Sequence, residues 1–158
     1  MGAFAGPNLR GTRRLIAVDT NLLVYSHRSD SPWFGAAQRA LRPLVEGNSP
    51  WAIPWPCIHE FLAISTHPKI YRPPTELPRA LEQVTALLAS PSVIALSEPV
   101  GYWPVLQRLL VSGQITGAKV HDARIAALCL SHGVSELWSA DRDFSRFPEL
   151  KTRNPLVL

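Results

Sequence analysis

Five carboxylates carry the chemistry that this chain can do. They stand in four short segments: Ala17-Val18-Asp19-Thr20-Asn21, His59-Glu60-Phe61, His121-Asp122-Ala123-Arg124 and Ser139-Ala140-Asp141-Arg142-Asp143-Phe144. Each segment puts an acid at or near the edge of an apolar run. In an α/β fold that is where strand turns to helix and a side chain reaches a crevice. Carboxylates gathered in one crevice repel one another unless a cation sits between them. Their oxygens are hard ligands, suited to Mg2+ or Mn2+. A bound ion brings the pKa of its water from about 15.7 toward about 7, and a pair about 3.5–4 Å apart clamps attacking and leaving oxygens. The reaction class that follows is in-line hydrolysis of a phosphodiester. No Ser-His-Asp or Cys-His constellation stands out beside the acids.

Taken singly, each acid also has an ordinary structural role. Asp19 fits a helix N-cap or a turn, and Glu60 a solvated helix position. Asp122 fits a first-turn acid set against the helix dipole. Asp141 could cap the turn that follows it, and Asp143 could cap Phe144 to Phe147. His59 and His121 flank acids without HxH or HxxxH spacing, so capping or solvent exposure is their expected state. Cys57 and Cys129 form no CxxC pair and read as core residues. The five Trp, scattered along the chain, are expected in the core or at an interface.

The elements that must position the acids are short and alternate in type. Leu15-Ile16-Ala17-Val18 is wholly apolar and ends at Asp19, as a central parallel strand does. Phe34, Ala37, Leu41, Leu44 and Val45 recur at helical spacing, with Gly47-Asn48 as a stop. Trp51 to Ile53 reads as a strand. Pro56 fits the first turn of a helix reaching about Thr66 and carrying Glu60. A Pro-rich connection runs from His67 to Pro74. Leu77 to Leu88 is amphipathic, and Val93 to Leu96 reads as a strand. Trp103 to Gly113 and Val120 to Leu130 read as helices, the second stopped by Gly133. Glu136 to Ser139 reads as a strand directly before Asp141, and Pro155 to Leu158 as a last edge strand. Strands alternating with helices predict an α/β fold, a parallel sheet sandwiched by helices. In such a sheet, ligands sit at the C-terminal strand edge.

At 158 residues, 46% apolar and 18% charged, the chain has the size and composition of one globular domain. Residues 1–13 read as a flexible basic arm and residues 14–158 as the domain. No apolar stretch approaches the ~20 residues that cross a bilayer. The first fourteen residues hold no signal-peptide core, which implies a cytoplasmic protein. The net charge is +4. If the five acids share one site, the remaining seven acids face sixteen Lys and Arg, and the rest of the molecule carries about +9. An acidic spot in a basic surface suits a polyanion that must also meet a metal. Thirteen of the sixteen basic residues are Arg, whose forks suit phosphate.

In order and spacing the four segments resemble a known family. Leu15-Ile16-Ala17-Val18-Asp19-Thr20-Asn21 resembles the opening motif of PIN-domain nucleases, and His59-Glu60-Phe61-Leu62 their helix-borne glutamate. His121-Asp122-Ala123-Arg124-Ile125-Ala126-Ala127 is similar to their third motif. Ser139-Ala140-Asp141-Arg142-Asp143-Phe144 with Arg146-Phe147-Pro148 is similar to their fourth. Over roughly residues 15 to 155 the likeness is to the VapC toxins of bacterial toxin–antitoxin pairs. The resemblance implies a Rossmann-like PIN fold and a Mg2+-dependent endoribonuclease, with Mn2+ as a possible substitute. Asp19, Glu60 and Asp122 would hold the first metal, and Asp141 would complete the quartet and help with a second ion. Thr20, Asn21 and Ser139 would orient carboxylates or a metal-bound water. It further implies a homodimer, and a heterotetramer or larger assembly with a VapB-like antitoxin whose C-terminal segment enters the groove.

Position 139 is Ser where the family frequently has Thr, and the hydroxyl is kept. Asp141 and Asp143 both offer a fourth acid, and strand-end geometry favours Asp141. Arg28, Arg72, Arg142 and Arg146 are candidates for RNA phosphates. In the arm, Arg10, Arg13 and Arg14 either contact RNA or lie in a disordered segment. Two other readings compete. One is a PIN-like RNA-binding module without catalysis. The other is a phosphohydrolase of small esters, prompted by the Asp-x-Asp of Asp141-Arg142-Asp143.

Overall fold

A computed structural model of the chain describes residues 14–157. The arm over residues 1–13 lies outside them. Five strands and six α-helices occupy the described residues. In chain order they are β1 (Ile16–Val18), α1 (Thr20–His27), α2 (Phe34–Glu46), β2 (Trp51–Pro54) and α3 (Trp55–Ser65). Then come α4 (Leu77–Leu88), β3 (Val93–Leu96), α5 (Tyr102–Gly113), α6 (Val120–Ser131), β4 (Glu136–Trp138) and β5 (Thr152–Arg153). Two 3-10 turns, Gly117–Lys119 and Arg142–Arg146, lead into α6 and follow β4.

The strands form one sheet in the order β3-β2-β1-β4-β5, and every pairing is parallel. Parallel pairing forces the chain back across the sheet between strands, which is the work of the helices. From β1 the chain builds outward through β2 and β3, then returns to the other side of β1 for β4 and β5. The direction reverses between β1 and β4, so a crevice opens beyond their C-terminal ends. Asp19 follows β1 directly, and Ser139 follows β4 directly.

Burial explains why these short strands hold. Ala17, Val18, Ala52, Ile53 and Leu137 are fully buried, as expected for central strands covered on both faces. Phe61 on α3, with Phe144 and Phe147 from the second 3-10 segment, fills the space beside the sheet. Trp51 is buried and gives its indole N–H to Ser90 Oγ at 3.1 Å, and Ser90 donates to the Val45 carbonyl at 2.9 Å. Gly47 follows α2, at a place where a Cβ would run into the Pro43 carbonyl oxygen. Among the described residues, no helix is long and apolar enough to cross a membrane.

One local expectation changes. The edge strand is Thr152–Arg153, not Pro155 to Leu158. Its ladder runs through Leu137 N–H to the Lys151 carbonyl and Ser139 N–H to the Arg153 carbonyl. Pro155 has no N–H to extend it, and Asn154 Oδ1 takes the Leu156 N–H in a turn. Trp33, Trp55 and Trp103 are exposed on the single chain, while Trp51 lies in its core. Asp141 takes the capping role expected of it over Arg142–Arg146, accepting the Asp143 N–H at 2.8 Å.

Candidate metal centre

Asp19 is the most enclosed acid of the crevice, 5% exposed. It occupies the N-cap position of α1, yet its side chain makes no capping bond. Its two oxygens are held from opposite sides instead. Ser139 Oγ donates to Oδ2 at 2.6 Å, and the Cys57 thiol lies 3.5 Å from Oδ1. Its backbone N–H goes to the Trp138 carbonyl at 2.9 Å, which ties the end of β1 to the end of β4. Burial pushes the Asp19 carboxyl up from its ordinary pKa, against the lowering effect of the Ser139 hydrogen bond.

Glu60 comes from α3, one turn beyond Cys57. Thr20 Oγ1 donates to Glu60 Oε1 at 3.1 Å, so the first residue of α1 steers an acid on α3. Partial burial raises the Glu60 pKa, and Asp19 adds to the rise. Asn21 serves the other side of the crevice, where its Oδ1 accepts the Ala140 N–H at 3.3 Å. Ser139 is shared as well, because its Oγ also accepts the Asp141 N–H at 2.9 Å. One hydroxyl thus aligns the acids of β1 and β4.

Asp122, Asp141 and Asp143 come closest together. Each offers a carboxylate oxygen, and these oxygens lie within 4.8 Å of one another. Asp122 sits in the first turn of α6. Its pKa is pushed up to about 6 by burial, then by Asp141, Asp143 and Asp19, with Lys119 opposing. Burial and crowded like charge both disfavour the ionised carboxylate, and a cation in the crevice would relieve the second. Asp141 uses Oδ1 as a cap. Asp143 pairs through Oδ2 with Lys119 Nζ at 2.7 Å. The described structure therefore brings both candidates for the fourth acid to the cluster, but loads them differently.

The Arg candidates fall into two groups. Arg142 and Arg146 are exposed on the turn beside the cluster. Arg28 lies at the far end of α1 from Asp19. There it pairs with Asp30 at 2.6 Å, donates to Thr75 and stacks 4.4 Å over the Tyr71 ring. Arg72 is exposed on the loop before α4. Arg14 donates to the buried Glu136 at 2.8 Å. His59 and His121 are exposed, and with Pro56, Glu60 and Arg124 they line a cavity of about 220 Å³ opening beside Glu60.

Two residues at the crevice carry no signal in the acidic motifs. Cys57 is fully buried, as a core cysteine should be, but its thiol faces Asp19. Lys119 precedes the third motif by two positions. A Lys directly before a helix, where its charge meets the positive end of the dipole, is the local feature that marks it.

Ser139→Ala removes the shared hydroxyl without touching an acid. We expect Mn2+ affinity to fall by about 10–100-fold, the usual cost of losing a partner that orients a ligand. Titration calorimetry checks this, and an unchanged Mn2+ affinity would contradict it.

The PIN domain family profile matches residues 16–150. The chain is 32% identical to the VapC ribonuclease Mb2897 of Mycobacterium bovis over 142 residues, 90% of this chain and 96% of that protein. It is 30% identical to ribonuclease VapC48 of Mycobacterium tuberculosis over 137 residues, 87% of this chain and 94% of that protein. The fold superimposes on VapBC2 of Rickettsia felis, solved with a promoter DNA fragment, at TM-score 0.62 and 20% identity. That alignment covers 89% of this chain and 98% of that one. VapC20 of Mycobacterium tuberculosis, a Sarcin-Ricin loop cleaving toxin, aligns at TM-score 0.61 and 17% identity, over 82% and 92% of the two chains.

Proposed function

Because this chain belongs to the PIN-domain family, among the VapC ribonucleases, we propose that its acidic crevice holds Mg2+ or Mn2+ and cuts RNA there. The chain is an endoribonuclease of the toxin type, and PIN ribonucleases use divalent ions through acidic residues. The observation that carries the reading is the gathering of Asp122, Asp141 and Asp143 within 4.8 Å, next to the buried Asp19. Asp19, Glu60, Asp122 and Asp141 are the proposed ligands. Asp141 would join them while one of its oxygens also accepts the Asp143 N–H. The donor set is all oxygen and anionic, as a hard divalent ion requires.

When bound, such an ion supplies an activated water and offsets charge on the phosphate. Water adds to phosphorus as the opposite P–O bond breaks, leaving one strand ended by phosphate and the other by hydroxyl. The chain's own residues set the geometry. Ser139 and Cys57 hold Asp19, Thr20 holds Glu60, and Asn21 and Ser139 hold the backbone that carries Asp141. Arg124, His121 and His59 around the adjoining cavity suit a phosphate of the bound strand, as do Arg142 and Arg146.

The proposed partners are an RNA substrate, a second copy of the chain, and a VapB-like antitoxin that places an Arg among the carboxylates. The proposed compartment is the cytoplasm. Incubation of the purified chain with total RNA and Mn2+ or Mg2+, followed by mapping of RNA ends, tests the activity. Discrete cuts that vanish in EDTA and return with Mn2+ are the expected result. Cuts that persist in EDTA would refute the role of the ion.

A further inference from the structure

We infer that Lys119 takes the place of a second metal ion, so that the crevice accepts one divalent cation and an ammonium. The inference rests on the metal-centred reading above and adds how much positive charge the chain itself supplies to that site.

Lys119 is badly placed by local rules. It ends the 3-10 turn over Gly117–Lys119 and stands directly before the first residue of α6. A cation there opposes the positive end of the helix dipole. A residue that breaks a local preference needs an offsetting contact, and here it is the acidic cluster. Nζ lies 2.7 Å from Asp143 Oδ2, and Asp143 shares the 4.8 Å cluster with Asp122 and Asp141. Of the ion pairs among the described residues, this is the one that reaches a cluster carboxylate.

The backbone brings it there. Gly117 adopts φ +64, a left-handed conformation open to glycine, and starts the short 3-10 turn that ends at Lys119. Lys119 and Asp122 are then three residues apart at the start of α6 and share a face. The residue type matters too. Three of the sixteen basic residues are Lys, and one of those three is here. An ammonium is a compact point charge, closer to a metal ion than the planar guanidinium used elsewhere in the chain.

Charge and position agree. Asp19, Glu60, Asp122, Asp141 and Asp143 hold five negative charges, so one divalent ion leaves an excess of three, and Lys119 removes one of them. Through Asp143, the ammonium stands at the edge of the cluster that also holds Asp122 and Asp141, where a second ion would otherwise draw its ligands. It carries three N–H donors, so engagement with Asp143 leaves donors for a phosphate oxygen. The alternative is a half-exposed surface pair of little consequence.

Mn2+ titration of the full chain, by calorimetry and electron paramagnetic resonance, separates the two. The native chain should bind a single Mn2+ with an isolated six-line spectrum. Lys119→Met should bind a second Mn2+ with a spin-coupled spectrum, and its cleavage rate should become second order in Mg2+. Lys119→Arg, which keeps the charge, should remain at a single ion. Two ions in the native chain, or a single ion in a folded Lys119→Met, would overturn the inference. If the native chain binds no Mn2+ at all, the metal-centred reading itself fails and takes the inference with it.

Discussion

Asp19→Asn gives a folded protein that no longer cuts RNA, with a loss of at least about a thousandfold, or about 4 kcal/mol of transition-state stabilisation. The substitution keeps the shape of the side chain and the Ser139 contact, but removes the charge that a divalent ion needs. Asp19 is the crevice acid with the least access to water, so no solvent shell can replace what the ion would contribute. The same burial makes the charge costly without metal, and that cost is what lifts its pKa. The variant should therefore melt in EDTA at or above the native temperature. Added Mn2+ should raise the native melting temperature and leave the variant's unchanged. Loss of activity together with loss of folding would mean that Asp19 is a structural acid. Full activity in a folded variant would remove it from the site.

The second large effect is that of pH. The Asp122 carboxyl titrates at about 6 in the folded chain, against an ordinary value of 3.8. Between those values the folded protein holds more protons than the unfolded one. In EDTA this group's contribution to stability is therefore full below pH 3.8 and is lost as pH rises through about 6. Asp19 and Glu60, raised by burial, act in the same direction. Metal reverses the sign, because it binds only deprotonated carboxylates. Below about pH 6, Mn2+ affinity should fall about tenfold per pH unit for each proton released. Calorimetry at pH 5 in two buffers of different ionisation heat would count those protons. Melting curves in EDTA should fall more steeply with rising pH for the native chain than for Asp122→Asn. Parallel curves would show that Asp122 ionises freely and that the cluster does not hold its proton.

Most of the frame was legible along the chain. Ile16 to Val18, Trp51 to Ile53 and Val93 to Leu96 read as strands because continuous apolar runs are what a sheet covered on both faces demands. The helices over 34–46, 77–88 and 120–131 followed from apolar spacing and from Gly and Pro stops. The edge strand was misread three residues too late, because its pairing is set by backbone register with β4, and Thr152–Arg153 has no apolar run to announce it. Which Trp are exposed, Trp33, Trp55 and Trp103, was open for a related reason: residue type fixes the cost of exposure, not which face a helix turns outward.

The sequence by itself determined the kind of chemistry. It supplied acids at the ends of apolar runs, in an order and spacing that only one family resemblance fits, within a basic chain suited to a polyanion. Those are properties of residue type and local periodicity, and they survive without coordinates. Tertiary structure decided how the charge is shared out. Ser139 meets Asp19 across 120 residues and Cys57 meets it across 38, so neither contact is encoded in any local pattern. The same closure gave Asp141 its capping role and Asp143 its lysine. Both are acids two residues apart in sequence, and only the path of the chain after β4 and before α6 distinguishes them.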